Sequence, residues 1–217
     1  MKDRGMIFNG EMVRAILDGR KTQTRRIVKP QPELTKGSGF SWKGAVYGSG
    51  SNDHETNRNF AHVKCPHGKP GDRLWVRETW ARYNIDQNSH DMAYQATTPE
   101  DWPKEGRWRP SIHMPRQASR ILLEITSVRV ERLNDISSED AESEGLERTN
   151  FTGFGDEPGL PSYPEPDVYY DPFKKRWEEY PPEAFAGLWK SIYGEESWQA
   201  NPWVWVIEFK RIEGGEA

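Results

Sequence analysis

The run Trp203-Val204-Trp205-Val206-Ile207-Glu208-Phe209 constrains this chain most. It is apolar at both parities until Glu208, so neither face of a strand built from it belongs in water. It therefore predicts a central strand. Asn201-Pro202 leads into it, and the tail beyond Ile212 is polar.

Three helices are expected. The first carries Met12, Val13, Ile16 and Leu17 at amphipathic spacing, with Asn9 as its cap and Gly19 placed to end it in a left-handed conformation. The second is the acidic segment Ser137–Gly145, with Ser137 and Asp140 in capping-box positions. The third opens with Pro182 at its first position and should bury Phe185, Leu188, Trp189 and Ile192. Strands are expected over Arg73–Trp80, Met92–Ala96 and Ile121–Leu133. In the last of these Ile121, Leu123 and Ile125 alternate, and then the phase slips at Thr126-Ser127 to Val128 and Val130, which reads as a bulge or corner. Arg109–Arg120, with its two prolines, should form a shaped loop. The helical and strand patterns do not alternate regularly, which excludes a doubly wound sheet. The expected class is α+β, a small β-barrel with helices plugging its ends.

The 217 residues fit one domain carrying two long loop insertions, at about 31–65 and 147–181. Only 34% of residues are hydrophobic, yet there are 10 Trp, and aromatics at that level argue against wholesale disorder. Net charge is −4, so any contact with nucleic acid must be a local patch on an acidic body. Cys65 is the one cysteine, which excludes an internal disulfide and fits a reducing cytoplasm. The N-terminus has no apolar signal-like segment and no run reaches membrane-spanning length, so no membrane association is expected. Cys65, His67, His62 and His54 lack the paired spacing of a structural zinc site, and neither metal nor cofactor is expected.

The octet Gly19-Arg20-Lys21-Thr22-Gln23-Thr24-Arg25-Arg26 holds four cations, two hydroxyls and an amide, with no apolar side chain. It leaves a helix end and enters an extended run stopped by Pro30. Such a turn can be a solvated surface feature, or it can project Lys21, Thr24 and Arg26 from a rigid base.

The order helix, Gly-Arg-Lys-Thr-x-Thr-x-Arg, Lys69-Pro70-Gly71-Asp72-x-Leu74, long strand, acidic helix and closing Val206-Ile207-Glu208-Phe209 resembles the ASCH domain family. The likeness covers about residues 6–30, 66–80, 118–146 and 182–212; the Pro110–Arg120 segment and the Trp-rich ends look most like a longer phage or prophage branch. It implies a PUA-like barrel and an association with RNA. Small bacterial members include an amidohydrolase acting on N4-acetylcytidine, and its proposed catalytic residues correspond here to Lys21, Thr24 and Glu144. Other members resemble ribonucleases or plain RNA binders, so membership leaves the activity open.

Cleaving an N4-acyl amide needs a nucleophile, a base and an acid for the departing amine. Thr24 could attack if Lys21, desolvated beside Arg20, Arg25 or Arg26, took its proton. Glu144 could protonate the leaving nitrogen or hold Lys21 charged, and the two roles conflict. Recognition calls for an aromatic platform and edge hydrogen bonds. Trp75, Trp80 and Trp108 could stack, although each could equally be core. Arg20, Arg26, Arg77, Glu78, His113, Arg116 and Arg120 could bind phosphate or base edges. The expected partner is a nucleoside or single-stranded RNA, bound by a monomer. The alternatives are a non-catalytic RNA-binding module and a ribonuclease using His113 or Lys21 on a 2′-hydroxyl. Alanine at Lys21, Thr24 or Glu144 is expected to abolish turnover with thermal stability nearly unchanged.

Overall fold

A computed structural model of the chain describes residues 2–34, 40–47, 60–61, 64–82, 91–150 and 167–212. The elements begin with β1 (Asp3–Ile7), α1 (Gly10–Leu17), β2 (Gln23–Ile27), β3 (Glu33–Leu34), β4 (Phe40–Trp42) and β5 (Ala45–Tyr47). There follow β6 (Arg73–Arg77), β7 (Trp80–Arg82), β8 (Met92–Tyr94), β9 (Leu122–Arg132), α2 (Ser138–Ser143) and β10 (Arg148–Asn150). The chain closes with β11 (Asp167–Asp171), β12 (Arg176–Glu178), α3 (Pro181–Tyr193), α4 (Glu195–Gln199) and β13 (Trp203–Ile212).

The α+β class holds. The main sheet has the order β1-β6-β9-β13-β2. Its β1–β6 pair is parallel and the other three pairs are antiparallel. β13 lies between β9 and β2, as its two-sided apolar pattern predicts. Trp203, Trp205, Ile207 and Phe209 pack into a core with Phe8, Val13, Ile16, Leu74, Val76 and Ile125. Val204 and Val206 face the opposite way, against Leu133, Ala141, Phe185 and Trp189. Full burial of each such side chain contributes roughly 1.5–3 kcal/mol. The strand therefore joins two layers, α1 on one face of the sheet and α2 with α3 on the other.

The phase slip in β9 is a bulge. Glu208 pairs with Ser127 and Phe209 with Ile125, leaving Thr126 as the extra residue. That shift restores both Val128 and Ile125 to the buried side.

The expected barrel closure is not found among the described residues. β1 and β2 are the two edges of an open sheet, and no ladder joins them. The chain leaves β1 directly for α1, whose first turn is capped by the Asn9 side chain accepting from the Met12 amide. A side chain bridges the gap instead: Arg26 of β2 donates to the Ile7 carbonyl at 2.7 Å and lies over the Phe8 ring.

Three further expectations change. The strand at Arg73–Trp80 is two strands, β6 and β7, and β8 pairs with β7. α3 starts one residue early, with Pro181 in its first turn. Ile192 is 40% exposed rather than buried, because Phe185 and Trp189 fill the layer and the last turn lines a surface recess.

The insertions are not simply loops. β3, β4 and β5 form a small sheet whose hairpin turns through Lys43 and Gly44, both at positive φ (51° and 78°). Trp42 of that sheet is edge-on to Phe60 and to Trp205 of the central strand. In the second insertion β10, β11 and β12 form another sheet. Asp171, wholly buried at the end of β11, accepts the amides of Phe173 and Lys174 through Oδ1 and so shapes the hairpin.

Gly187 of α3 lets that carboxylate approach. A Cβ there would lie 1.8 Å from Asp171 Oδ1. Gly187→Ala should therefore push β11 off the helix and destabilise the fold by about 1–3 kcal/mol. Urea unfolding reads this directly, and an unchanged midpoint would show that the sheet does not depend on the contact.

Candidate functional site

The octet is clamped between three elements. The Lys21 amide donates to the Ala15 carbonyl of α1 at 3.0 Å, and the Thr22 amide donates to Ser143 of α2 at 3.0 Å. The Phe209 amide of β13 donates to the Thr22 carbonyl at 2.8 Å. Lys21 and Glu144 form an isolated antiparallel bridge. Gly145, at φ +86°, makes this approach possible, since a Cβ there would lie 2.7 Å from Lys21 Cβ and 2.8 Å from Ala15 Cβ. The solvated-turn reading is overturned: Lys21, Thr24 and Glu144 are 2%, 1% and 4% exposed, and Gln23 and Arg25 are buried with them.

These residues lie in one ion network. Lys21 Nζ donates to Glu144 Oε2 at 2.7 Å and to the Glu144 carbonyl at 2.8 Å. Arg25 donates to Glu144 Oε1 at 3.0 Å, to Asp140 Oδ2 at 3.0 Å and to Glu131. Arg129 donates to Asp140 Oδ2 at 2.5 Å, to Glu131 at 3.1 Å and to Glu208. Gln23 completes the cluster by donating to the Asp140 carbonyl at 3.1 Å. Both oxygens of Glu144 thus accept from cations.

Burial lowers the Lys21 pKa below that of an ordinary lysine, and Arg26 and Arg25 act in the same sense. Glu144 opposes them without winning. At Asp140 burial alone would raise the pKa, but Arg129 and Arg25 hold the carboxyl below its usual value of 3.8.

Glu144 lines two hollows. One is a cleft of about 400 Å³ walled by Met12 and Arg20 from the α1 end, Leu146 and Arg148 beyond α2, Tyr170 of β11 and Leu188 of α3. That volume suits a nucleoside-sized ligand. The other is a recess of about 10 Å³ over Thr24, closed by Phe185, Leu188, Trp189, Ile192 and Tyr193 of α3. It has room for about one water. Arg26 lines it and donates to the Tyr193 hydroxyl at 3.2 Å. Among the described residues no hydrogen bond joins Lys21 Nζ to the Thr24 hydroxyl, and Thr24 lies in the extended strand β2, so the i, i+3 spacing does not pair them as one turn would.

Of the expected binding residues only Arg20 walls the cleft. Its guanidinium is fixed by the carbonyls of Gly145 and Leu146 and by Asp18. Arg77 is committed to the shaped loop, donating to the carbonyls of Ser111 and Ile112, and its guanidinium lies 5.3 Å from the half-buried Trp75 ring. Glu78 is buried and takes both prongs of Arg120 at 2.9 Å. That fork holds the loop down, with Arg120 also over the Tyr94 ring. His113 and Arg116 are exposed on two 3-10 turns of this loop, and Arg116 sits 4.0 Å from Asp3. Trp80 is core, while Trp108 stacks on Trp102 at 4.1 Å. Sequence reasoning missed Arg25 as the hub, although strand parity puts it on the face of Ile27, towards the layer of Phe185. It also missed Tyr170, which lies in what reads as a loop.

His54 and His62 lie outside the described residues. Burial pushes the His67 pKa down to about 4, aided by Arg26 and Arg4, and pushes the Cys65 thiol up to about 11. Among the described residues no cluster of three or more His, Cys, Asp or Glu is placed to hold a metal ion. None of their helices is long and apolar enough to cross a membrane.

No family model, curated protein or solved structure matches this chain.

The network reverses the expectation of unchanged stability at Glu144. Glu144→Gln leaves two buried cations facing a neutral amide, and breaking such a pair costs about 3–5 kcal/mol. A chemical denaturation midpoint equal to wild type would refute this. The linkage at Asp140 has a definite sign. Its depressed pKa contributes stability that is fully present above pH 3.8 and is lost as pH falls through the folded value. Asp140→Asn should therefore flatten the acid limb of the stability–pH curve, as read by thermal melts across that range.

Proposed function

We propose that this chain is an ASCH-type amidohydrolase that removes the acyl group from N4-acetylcytidine or a similar modified base. Its open five-stranded sheet is then the counterpart of a PUA-like barrel. It would act in the cytoplasm, as a monomer, on a nucleoside or single-stranded RNA. The observation that carries this reading is the Lys21–Glu144 pair, in which Glu144 lines both a nucleoside-sized cleft and the recess over Thr24.

The hydrogen bonds support a division of roles. Glu144 accepts from Lys21 and Arg25, so it positions Lys21 and does not serve as the acid. Burial weakens Lys21's hold on its proton, as a proton carrier requires. With Lys21 as the neutral amine that its lowered pKa favours, Thr24 Oγ attacks the acyl carbon and its proton passes to that amine. The bond to the exocyclic nitrogen then breaks as that nitrogen receives the proton. That step releases the free cytosine amine, and water then cleaves the acyl-threonine to give acetate and regenerate the Thr24 hydroxyl. For the acyl group to reach Thr24, Leu188, Ile192 and Tyr193 must move aside. Without that movement the nucleophile is a water in the recess.

The tightness of the recess favours a second reading, a binding module for a nucleoside or RNA with no chemistry at Thr24. The ribonuclease reading, with His113 or Lys21 acting on a 2′-hydroxyl, has less support, because neither residue lines the cleft.

Incubation with N4-acetylcytidine, followed by the ultraviolet change to cytidine, separates the two. Lys21→Ala and Thr24→Ala should each lower kcat/KM by about 10²- to 10⁴-fold. The wild-type rate should rise with pH through a pKa below the ordinary lysine value of 10.5. Binding without turnover would leave the module, and a full rate in Thr24→Ala would transfer attack to water.

A further inference from the structure

The second insertion, which lies outside the segments resembling ASCH domains, supplies part of the cleft wall. Arg148 of β10, with Tyr170 and Pro172 from β11 and its turn, faces Met12, Arg20 and Leu188 across the hollow. Among the described residues Tyr170 is the one aromatic side chain lining it.

The strand that carries the ring is held from several directions, and one neighbouring ring touches Tyr170 itself. Its amide donates to the Glu147 carbonyl at 2.9 Å, directly beyond α2. Its neighbour Tyr169 pairs with Arg148 in the β10–β11 ladder. Trp177 of β12 meets the Tyr170 ring edge-on, at 5.4 Å between centroids. Asp171, the next residue, is seated against Gly187 of α3. Tyr170 is half-buried, so the ring is neither loose on the surface nor consumed in a core. Met12, Leu146 and Leu188 supply apolar area around it, while Arg20 and Glu144 are polar groups in fixed places. A flat ring in a cleft of about 400 Å³ that sets the apolar Met12, Leu146 and Leu188 among charged groups such as Arg20, Arg148 and Glu144 suits a planar heteroaromatic ligand with polar edges.

We infer that Tyr170 is the stacking platform of the cleft and a determinant of its specificity, selecting ligands by a planar heterocycle laid on its phenol face. The inference rests on the nucleoside reading of the same cleft, but it concerns binding and not the chemical step. Stacking tolerates any π face, so the platform sets the class of ligand, and the polar groups around Glu144 must choose among bases.

The test compares Tyr170→Ala with Tyr170→Phe and Tyr170→Trp in the full chain. Two readouts are used: KM and kcat for N4-acetylcytidine, and equilibrium dialysis with cytidine and adenosine. Loss of the ring should raise KM and the nucleoside Kd by about 5- to 100-fold, with the larger part of the loss in KM. Phenylalanine and tryptophan should restore binding to within a few fold, which a merely structural role of the hydroxyl or of local packing would not predict. The midpoint of a thermal melt reports whether the alanine variant keeps the fold. If it does not, the Phe and Trp variants carry the comparison, and a tenfold loss in both would overturn the platform. Unchanged KM and Kd in Tyr170→Ala would overturn it while leaving hydrolysis intact. Nucleoside binding without turnover, lost on removing the ring, would support the platform and refute the hydrolase. Failure of wild-type protein to bind either nucleoside at millimolar concentration would overturn the platform.

Discussion

The buried guanidinium of Arg25 is the constraint on which the site's geometry depends. α2 has six residues, too few to hold a helix by its own hydrogen bonds. Arg25 takes Asp140 and Glu144 from this segment and Glu131 from β9, and Arg129 joins Asp140 and Glu131 to Glu208 of β13. Cations from β2 and β9 thus fix the short helix and the Glu144 that follows it to the sheet. Removing an ion from water is so unfavourable that such a cluster persists only when nearly every donor and acceptor is matched. One is not: Arg25 Nε is buried without a hydrogen-bond partner among the described residues, with the guanidinium 5.6 Å from the centre of the Phe185 ring. The network therefore serves arrangement more than stability, placing Lys21 against Glu144 with little freedom on either side.

Much of this was legible where one rule acts locally. The two-sided apolar run at Trp203–Ile207 led directly to a strand between β9 and β2. The slipped phase at Thr126 became a bulge because the alternation it interrupts had to resume on the buried side. Caps at Asn9 and Ser137 and left-handed glycines at 19 and 145 fell where short-range chemistry puts them. What stayed hidden depends on partners far apart in the chain. Arg25 meets Glu144 across 119 residues, and nothing in either neighbourhood announces the other. Glu78 and Arg77 read as recognition residues because their partners, Arg120 and the carbonyls of Ser111 and Ile112, lie more than 30 residues away. The turn at Lys43-Gly44 was a local signal that composition masked, since the segment around it is rich in Gly and Ser.

The site is composite in a way that bears on the insertions. Lys21, Thr24 and Glu144 come from segments that carry the resemblance to ASCH domains, but part of the cleft beside them is built by β10 and β11. An insertion that merely decorated the surface would not bury Asp171 against Gly187 or place Tyr170 opposite Met12. The first insertion behaves differently. Its Trp42 and the nearby Phe60 pack on Trp205 in the layer on the other face of the sheet, away from α2 and α3. One insertion thus extends the core and the other shapes the opening.

The contrast between a roomy cleft and a tight recess points to which part of the molecule can move. Thr24 is covered by the last turns of α3, where Arg26 of β2 donates an exposed hydrogen bond to the Tyr193 hydroxyl and Tyr193 packs on the Trp189 ring of its own helix. A bond of that kind contributes about 0.5–1.5 kcal/mol. On the other side of the recess Glu144 is held by Lys21 and Arg25, and breaking a buried pair costs about 3–5 kcal/mol. Ile192 and Tyr193 are already partly in solvent. Gly194 ends the helix at φ +84°, where a Cβ would meet no described atom within 4 Å. Displacing the end of α3 therefore opposes the weaker of the two restraints. A ligand in the cleft would meet a rigid floor at Glu144, whereas Ile192 and Tyr193 wall the recess over Thr24, so access to Thr24 is governed by the packing of α3 and not by the ions around Lys21.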